Sequence, residues 1–420
     1  MKYELRKHQK EFVEFFNRSK FSGQLAYHEM GLGKTLTALH IGLKYTDMLK
    51  DRGISDDPKV LILCPKSIES VWCEHIGEFM PDRADRFIIL PYSQLKNARD
   101  IPQHNDFRFM ILDEFHYLRN TGTQRLGFFT DLLYELHCSE GGFQLGRFIG
   151  LTGTPLVNSG ADLFSAFNLF TAKSALDAAN NLSSENRQYQ WKNAFTNKYK
   201  THFGVKYEGV RNKKKLMELT SPFIHHRRLA DCVDMPEMSV NHIDLKLRDD
   251  DLLQDVDINS PDAYMSVLEA LSRAKTPHLI KRIKEFLETG EQCVVFSMHK
   301  EAVFQLAKEV EGVGIITGGI SSDDRAATIR AFKAGTIRVI AMTYACGAEG
   351  LNLQHCRYAF YHSYPWTYAQ FEQAKARIHR PGQKNKTIHY VIISGRNDLG
   401  ILSTVMKKRG DMEYFKENIA

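Results

Sequence analysis

Apolar residues in this chain form short runs, separated by stretches that carry apolar residues at helical spacing. The first group of runs lies at 60–64, 87–90, 109–112 and 148–151. The same alternation returns after residue 278, with runs at 292–296, 314–317, 338–342, 358–361 and 387–393. Strands of a parallel sheet read as such runs because helices cover both of its faces. The pattern therefore predicts an α/β fold with two parallel sheets, each covered by helices.

The region between the two groups differs in composition. Residues 160–235 lack the strand rhythm and are rich in Asn, Lys and aromatic residues, which favours helices inserted on the first sheet. The Asp-Met-Pro-Glu-Met segment at 234–238 is a candidate break between domains. We predict a first lobe at 1–235, with a helical protrusion at about 160–235. Residues 236–420 are predicted to hold a linker, a second small helical protrusion and the second lobe.

A glycine-containing loop at 28–35, His-Glu-Met-Gly-Leu-Gly-Lys-Thr, precedes a helical apolar pattern. Gly31 and Gly33 let backbone amides approach a polyphosphate, and the helix N-terminus adds partial positive charge. Lys34 is predicted to reach the β- and γ-phosphates of a nucleotide, and the Thr35 hydroxyl to ligate Mg²⁺. Taken alone, the loop could also be an ordinary turn.

Two acidic residues, Asp113 and Glu114, follow the apolar run at 109–112. A buried strand that delivers carboxylates at its C-terminal end is a usual way to hold Mg²⁺ and activate water. Asp113 is predicted to bind the metal, and Glu114 to orient and deprotonate the attacking water. The alternative is a pair of surface acids on a turn. In combination with the loop at 28–35, the acids predict an ATPase.

A Thr-Gly-Thr-Pro turn follows the apolar run at 148–151. A turn of this kind beside a nucleotide could sense the γ-phosphate. Thr152, Gly153 and Thr154 are therefore predicted to pass that signal to a neighbouring lobe.

Two arginines, Arg377 and Arg380, are spaced so that a helix would place them on one face. Pro381 and Gly382 follow at once and are predicted to end that helix. Such a pair suits insertion into the phosphate site of another domain, where a guanidinium group stabilises charge on a transferring phosphoryl group. A solvated helical face is the alternative, and the upstream phosphate loop favours catalysis.

The order and spacing of these segments resemble the Swi/Snf-type branch of helicase superfamily two. The matching segments lie at 5–9, 28–35, 63–72, 113–116, 203–209, 222–228, 294–297, 343–353, 365–366 and 377–383. The resemblance implies two RecA-like lobes that bind one ATP with Mg²⁺. It implies that Gln9 contacts the adenine, that Met30 belongs to the nucleotide-binding loop, and that Gln373 couples the site to motion.

The resemblance also implies DNA as the partner. The residues in segments that contact the DNA strand in similar proteins are Lys66, Ser67, Ser297, Lys300 and Thr343. Arg227, Arg228 and the basic run at 211–215 fall where family members place a protrusion near duplex DNA. A third basic run lies at 407–409, and a solvated face is the alternative for each run. The net charge of +6 is modest, so DNA contact must use local patches.

Three positions depart from the family pattern. His28 stands where the family has an acid, and Phe115 where it has a small residue. Tyr364-Pro365-Trp366 replaces the usual Trp-Asn-Pro. None of these positions is a predicted catalytic residue, so ATPase activity is expected.

Cysteine usage and hydropathy bear on the compartment. Seven cysteines are scattered without a Cys-x-x-Cys pair, which argues against structural zinc and disulfides and favours a reducing compartment. No apolar run approaches the ~18 residues of a membrane span, and the N-terminus lacks a signal-peptide core. A soluble, intracellular protein is therefore expected. A bare motor without accessory domains would suit a bacterium or a phage-infected cell, and a monomer is expected.

These features favour an ATP-dependent DNA translocase or helicase that acts on forked or branched DNA, by unwinding or branch migration. ATP would be hydrolysed in the cleft between the lobes. The alternative is a double-stranded DNA translocase that displaces bound proteins without unwinding. An ATP-dependent clamp without sustained turnover is a third hypothesis, against which Glu114, Arg377 and Arg380 argue. A small-molecule phosphotransferase is a fourth, and no acceptor pocket is evident from the sequence.

Overall fold

The computed structural model divides the chain into two compact units, one ending at Val233 and the other beginning at Asp234. Each unit contains a six-stranded sheet whose neighbouring strands all run parallel. The predicted fold class, two RecA-like lobes built on helix-covered parallel sheets, is confirmed. The structure describes residues 3–101, 106–138, 147–153, 159–201, 204–247, 263–347, 351, 353–395 and 398.

The sheet of the first unit has the strand order β3-β2-β4-β5-β1-β8. The strands of this unit are β1 Gly23–His28, β2 Lys59–Cys64, β3 Phe87–Pro91, β4 Phe107–Leu112, β5 Arg147–Thr152, β6 Asn197–Thr201, β7 Gly204–Glu208 and β8 Ile224–Arg227. Because the six sheet strands are parallel, their carboxyl ends meet at one edge. The loops that follow β1, β4 and β5 therefore lie side by side.

Helices cover both faces of this sheet. They are α1 Lys7–Arg18, α2 Lys34–Asp51, α3 Glu69–Phe79, α4 Gln124–Cys138, α5 Phe164–Phe170, α6 Ala175–Ser183, α7 Glu185–Phe195 and α8 Lys213–Thr220. One core cluster packs α1, α2 and α3 against one face, through residues such as Phe12 and Trp72. The other packs α4, α5 and α6 against the opposite face, through residues such as Phe129. Successive residues of a strand point to opposite faces, so each of the central strands contributes to both clusters.

The inserted region contains more strand than the sequence predicts. Helices α5–α8 lie in this region. Strands β6 and β7 pair there as an antiparallel hairpin, and β8 joins the main sheet beside β1. Strands β1 and β8 escaped prediction because polar residues interrupt their apolar character. Gln24, His28, His225 and His226 are nevertheless all buried.

The sheet of the second unit has the order β11-β12-β10-β13-β14-β9. Its strands are β9 Glu237–Leu245, β10 Cys293–Ser297, β11 Val313–Ile316, β12 Val339–Thr343, β13 Tyr358–Tyr361 and β14 Thr387–Gly395. Its helices are α9 Ala263–Leu287, α10 Lys300–Glu309, α11 Ser322–Lys333, α12 Tyr344–Gly347 and α13 Tyr368–Lys375. Strand β9 starts in the segment predicted as the domain break and pairs with β14 along its whole length.

The described part of the chain contains no helix that is both long and apolar enough to cross a bilayer. No group of three His, Cys, Asp or Glu side chains in these residues is arranged to hold a metal ion. The six cysteines whose side chains the structure describes, Cys64, Cys73, Cys232, Cys293, Cys346 and Cys356, are free.

Candidate nucleotide site

The predicted phosphate loop connects β1 to α2 in the first unit. Gly31 and Gly33 adopt left-handed backbone angles, with φ values of 90° and 71°, which glycine tolerates and other residues rarely adopt. Gly33 is also crowded, since a β-carbon there would lie 2.6 Å from Nε2 of Gln9. Both glycines are therefore required by the shape of the loop.

Lys34 begins α2, and its ammonium group lies against the start of the same loop. Its Nζ donates hydrogen bonds to the carbonyl oxygens of His28 at 2.6 Å and Glu29 at 3.3 Å. Thr35 follows on the first turn of the helix and is half-buried. A polyphosphate would give Lys34 a charged acceptor in place of these two neutral ones.

Helix α1 contacts the loop through two successive side chains. His8 Nε2 lies 2.9 Å from the carbonyl oxygen of Leu32, and Gln9 Nε2 donates to that of Gly33 at 3.2 Å. The Gln9 carbonyl oxygen accepts from the backbone N–H of Arg6 at 2.8 Å. The predicted adenine contact of Gln9 stays a prediction. The side-chain nitrogen of Gln9 joins α1 to the phosphate loop, while its side-chain oxygen caps the start of α1.

Asp113 and Glu114 lie at the C-terminal end of β4, on the edge that carries the loop. Both Asp113 carboxylate oxygens accept hydrogen bonds, from Trp72 Nε1 at 2.8 Å and from the Glu114 backbone N–H at 2.8 Å. Tyr92 donates its hydroxyl to the Asp113 carbonyl oxygen at 2.8 Å. Asp113 is thus held in one orientation from three directions.

Glu114 has a left-handed backbone with φ of 46°, which is costly for a non-glycine residue. Its Oε2 lies 3.2 Å from Nδ1 of His116. Strained backbone of this kind concentrates at functional sites, where it aims a side chain that regular structure would direct elsewhere.

The electrostatics of this edge link the acids to the loop. Burial, and secondly the charge of Glu114, raise the pKa of Asp113 to about 7, while the Trp72 hydrogen bond and the charge of Lys34 act to lower it. The ammonium group and the carboxylate are therefore within electrostatic reach of each other. A carboxylate destabilised in this way gains from a bound cation, and Mg²⁺ commonly uses one or two protein carboxylates together with phosphates and water. Asp113 and the Thr35 hydroxyl fit that requirement.

The turn after β5 approaches the loop as well. Thr152 is buried and pairs in register with Tyr27 of β1. A β-carbon on Gly153 would lie 3.5 Å from Cγ of Met30, an ordinary van der Waals distance, so the turn packs directly against the loop. Thr154 lies outside the described residues.

The Phe115 departure has a visible structural complement. Phe115 is buried, and its ring packs against Phe170 with 5.1 Å between centroids. A β-carbon on Gly150 would lie 3.2 Å from the Phe115 ring and closer still to Leu25 and Phe170. A glycine in the neighbouring strand therefore provides the room for the larger side chain.

In the second unit, Arg377 and Arg380 both donate an Nη1 hydrogen bond to the carbonyl oxygen of Leu351, at 3.2 and 3.1 Å. The prediction that a helix carries both arginines is wrong, because α13 ends at Lys375 and they follow in a turn. Burial lowers the pKa of Arg380, and its buried Nε has no hydrogen-bond partner within the described residues. Gln373 is buried on α13. The arginines are thus brought together, by tertiary contacts and not by helical spacing.

The predicted DNA contacts of the first unit lie on its surface. Lys66 and Ser67 are exposed just beyond β2, and Lys66 forms an ion pair with Glu69. Arg227 forms an ion pair with Glu11 at 2.9 Å, and Arg228 with Asp231 at 2.8 Å. The role of these four residues on DNA stays a prediction.

The predicted DNA contacts of the second unit fall into two groups. Ser297 and Thr343 are buried and pair in register at the ends of β10 and β12. The Ser297 hydroxyl lies 3.0 Å from Nδ1 of His362, so its side chain is engaged in a buried hydrogen bond. Lys300 is exposed at the start of α10. Of the three residues predicted to contact DNA in the second unit, Lys300 is therefore the one with an exposed side chain.

Sequence reasoning missed a set of histidines around the phosphate loop. His28 Nε2 lies 2.7 Å from Nδ1 of His225 on β8, and both side chains are buried. His8 was not singled out either, although it precedes Gln9. The departure at His28 was the available signal, but its partner lies 197 positions away in the chain.

Burial also sets the protonation state of this pair. It lowers the pKa of His28 well below its usual value and lowers that of His225 to about 3. Between pH 6.5 and 3 the unfolded chain therefore binds protons that folded His225 does not, so stability falls as pH falls. From pH 7 to 5.5 this site is expected to remove about 1 kcal/mol of unfolding free energy.

The variant His225→Leu is expected to lose that share of the pH dependence, because leucine takes up no proton in either state. Thermal unfolding midpoints at pH 7 and 5.5 measure the change for the wild type and the variant. An equal drop in midpoint for both proteins would contradict the assignment.

Comparison with known protein families agrees with this geometry. The SNF2-related domain family matches residues 8–90, which include the phosphate loop. The helicase conserved C-terminal domain family matches residues 276–382, which include both arginines.

Individual relatives are distant in sequence. The human DNA annealing helicase and endonuclease ZRANB3 is 21% identical over 88% of this chain and 36% of its own length. A Caenorhabditis elegans SWI/SNF-related matrix-associated actin-dependent regulator of chromatin subfamily A-like protein 1 homolog is 23% identical over 91% of this chain and 58% of its own. A mimivirus protein, provisionally named an ATP-dependent RNA helicase, is 23% identical over 90% of this chain and 84% of its own.

The chain thus spans 36% and 58% of the lengths of the first two relatives. A solved SWI2/SNF2 ATPase core from Sulfolobus solfataricus, in complex with dsDNA, covers 100% of this chain with 18% sequence identity and a TM-score of 0.38. With a SNF2-related domain match in its first unit and a helicase C-terminal domain match in its second, the predicted resemblance of the chain to the Swi/Snf-type branch of helicase superfamily two is confirmed.

Proposed function

We propose that this protein is an ATP-dependent DNA translocase or helicase that acts on forked or branched DNA. The observation that carries the proposal is that Lys34, after β1, and the acids Asp113 and Glu114, after β4, lie at the same carboxyl edge of the first parallel sheet. A cationic phosphate loop beside a fixed metal-binding acid and a strained second acid supports ATP hydrolysis.

The residues of the first unit would share the chemistry as follows. Lys34 exchanges its carbonyl partners for the β- and γ-phosphates, and Asp113 and Thr35 hold Mg²⁺. The bound ion would neutralise charge on the phosphates. Glu114 orients the attacking water and accepts its proton. Gln9 on α1 is proposed to contact the adenine, and Met30 is proposed to belong to the nucleotide-binding loop.

The second unit would contribute positive charge to the transition state. Arg377 and Arg380 are held on a single carbonyl oxygen, and a phosphoryl group is a stronger acceptor for a guanidinium than a neutral carbonyl. ATP would then be hydrolysed in the cleft between the lobes. Closure on ATP and reopening after hydrolysis is a recognised route from nucleotide chemistry to motion. We propose that four residues couple ATP hydrolysis to this motion: Thr152, Gly153, Thr154 and Gln373.

DNA as the partner is supported by the relatives and by surface charge. The human relative is named a DNA annealing helicase, whereas the viral relative is named for RNA, so both nucleic acids belong in the test. In the first unit, the hairpin β6–β7 exposes Lys198, Lys200 and Lys206. Lys206 lies 3.4 Å from Glu208, and Lys198 and Lys200 have no acidic partner within the described residues.

Aromatic and basic residues alternate on this hairpin. Tyr199 stands opposite Lys206 across the two strands and is 43% exposed. The basic run at 211–215 follows the hairpin directly. The backbone N–H of Arg211 donates to the Phe195 carbonyl oxygen at the base of the hairpin. A two-stranded hairpin with exposed lysines on both faces suits a phosphate backbone and requires no base-specific contact.

The triple variant Lys198→Ala, Lys200→Ala, Lys206→Ala is expected to weaken DNA binding and its salt dependence. Removal of each phosphate contact lowers the slope of log affinity against log salt by about 0.9. Binding of a labelled duplex at several salt concentrations measures this slope. The matched control removes three exposed cations on and after α2: Lys44→Ala, Lys50→Ala, Arg52→Ala. An equal slope for both triple variants would show that the hairpin does not contact DNA.

Strand separation on a forked duplex, compared with a linear duplex of the same sequence, tests the function itself. A forked RNA duplex is the third substrate, and Glu114→Gln is the inactive control. Opening of the forked DNA alone, with ATP, is the expected result. If DNA stimulates ATP turnover but no duplex opens, the protein is a translocase that moves without unwinding and displaces bound proteins. Absence of DNA-stimulated turnover would reject both functions.

A further inference from the structure

We propose that His8 and the buried pair His28–His225 are positioning residues that hold the phosphate loop in its nucleotide-binding shape. The proposal rests on the proposed ATPase function, because it assigns a role to side chains behind the same loop. None of the three would touch the nucleotide.

The argument for His8 begins with the geometry of the peptide bond. In a trans peptide the C=O and N–H bonds point in opposite directions, and every peptide in the described chain is trans. His8 Nε2 lies 2.9 Å from the carbonyl oxygen of Leu32, which can only accept, so this nitrogen carries the proton and donates it. The N–H of the same peptide, which belongs to Gly33, is thereby directed away from α1.

The next peptide is oriented in the same way by other groups. The Gly33 carbonyl oxygen accepts from Gln9 Nε2 at 3.2 Å, from the Thr37 backbone N–H at 3.2 Å and from the Thr37 hydroxyl at 3.1 Å. The Lys34 N–H therefore also points away from α1. Three donors therefore fix the Gly33–Lys34 peptide, whereas His8 is the side chain that fixes the Leu32–Gly33 peptide. Removal of the His8 imidazole should accordingly free the Gly33 N–H to turn.

The pair His28–His225 acts at the other end of the loop. His28 is the last residue of β1, and its carbonyl oxygen accepts from Lys34 Nζ at 2.6 Å. Its imidazole is joined at 2.7 Å to His225, which belongs to the neighbouring strand β8. Because burial keeps both rings neutral, one ring can donate and the other accept without repulsion between charges. The end of β1, from which the loop departs, is thus attached to the edge strand.

Tripolyphosphate is the probe that isolates the loop, since it contains the phosphates of ATP without adenine or ribose. His8→Phe keeps an aromatic ring but has no donor, and His8→Gln places an amide donor near the position of Nε2. His8→Phe is expected to bind ATP and tripolyphosphate about tenfold more weakly, the scale of removing one hydrogen bond. His8→Gln is expected to bind both at close to wild-type affinity.

The histidine pair is tested by a double-mutant cycle with the same two probes. His28→Ala and His225→Ala are each expected to weaken tripolyphosphate binding about tenfold, and the double variant no further than either single one. His226→Ala is the matched control. The His226 ring is buried on the same strand as His225 and packs at a tilt against Tyr27, with 4.5 Å between centroids. The affinity of this variant for the probe is expected to be unchanged.

A purely structural role predicts a different outcome. Variants would then unfold at lower temperature but bind tripolyphosphate normally while folded, and that result would overturn the proposal. Additive decreases in affinity across the cycle would overturn the pairing of His28 with His225. If the wild-type protein binds neither ATP nor tripolyphosphate, the proposed ATPase function fails first, which separates the two failures.

Discussion

Glu114→Gln is expected to reduce ATP hydrolysis by about a thousandfold while ATP and DNA binding persist. The amide keeps the shape of the side chain but cannot accept the proton of the attacking water. Asp113 retains the Trp72 hydrogen bond and the bond from the backbone N–H of residue 114, so the carboxylate proposed to bind Mg²⁺ stays in place. Single-turnover hydrolysis with saturating ATP measures the chemical step, and a fluorescent ATP analogue measures binding.

The matched control is Glu135→Gln on α4, which makes the same change on another acidic residue of the first unit. It is expected to hydrolyse ATP at the wild-type rate. A Glu114→Gln variant that turns over ATP normally would show that another group accepts the proton. A variant that no longer binds ATP would show that Glu114 acts in binding.

Arg380→Ala is the second large effect, with hydrolysis expected to fall on the order of a thousandfold and ATP binding nearly unchanged. The guanidinium would act only when it reaches the phosphoryl group, so its removal should lower kcat more than it raises KM. Arg377 also bonds to the Leu351 carbonyl oxygen, so that oxygen keeps a donor in the variant. Steady-state kinetics, together with binding of a non-hydrolysable ATP analogue, measure the two effects separately.

Arg380→Lys distinguishes general positive charge from guanidinium geometry. Lysine keeps the charge but lacks the planar fork, so only partial recovery of the rate is expected. Full recovery would reduce the role of Arg380 to a point charge. Normal hydrolysis by Arg380→Ala would contradict the model in which the second unit completes the site.

Much of the fold was predictable because most central strands are continuous apolar runs. The run at 109–112 belongs to β4, which extends over Phe107–Leu112, and the run at 358–361 coincides with β13. Strands β1 and β8 are equally buried but carry Gln24, His28, His225 and His226. His28 and His225 are partners of each other, and local periodicity does not reveal this contact between distant strands.

The candidate site divides in a similar way. Lys34, Asp113 and Glu114 were identified from short segments, because a phosphate loop and a strand-end acid pair are local patterns. The contact of His8 with the Leu32 carbonyl oxygen joins two such segments and was not identified. The arginines show the reverse case, in which both residues were identified but the predicted helix does not extend to them.

The amino-acid sequence by itself determined the family resemblance, the α/β class and the residues that carry the predicted chemistry. These depend on residue type and on spacing along the chain, which are local properties. Tertiary structure alone decided that His28 meets His225, that α1 orients the phosphate loop, and that Arg377 and Arg380 share the Leu351 carbonyl oxygen. Such contacts join positions far apart in the chain, and their geometry is set by how strands and helices pack, since burial leaves each polar group in need of a partner.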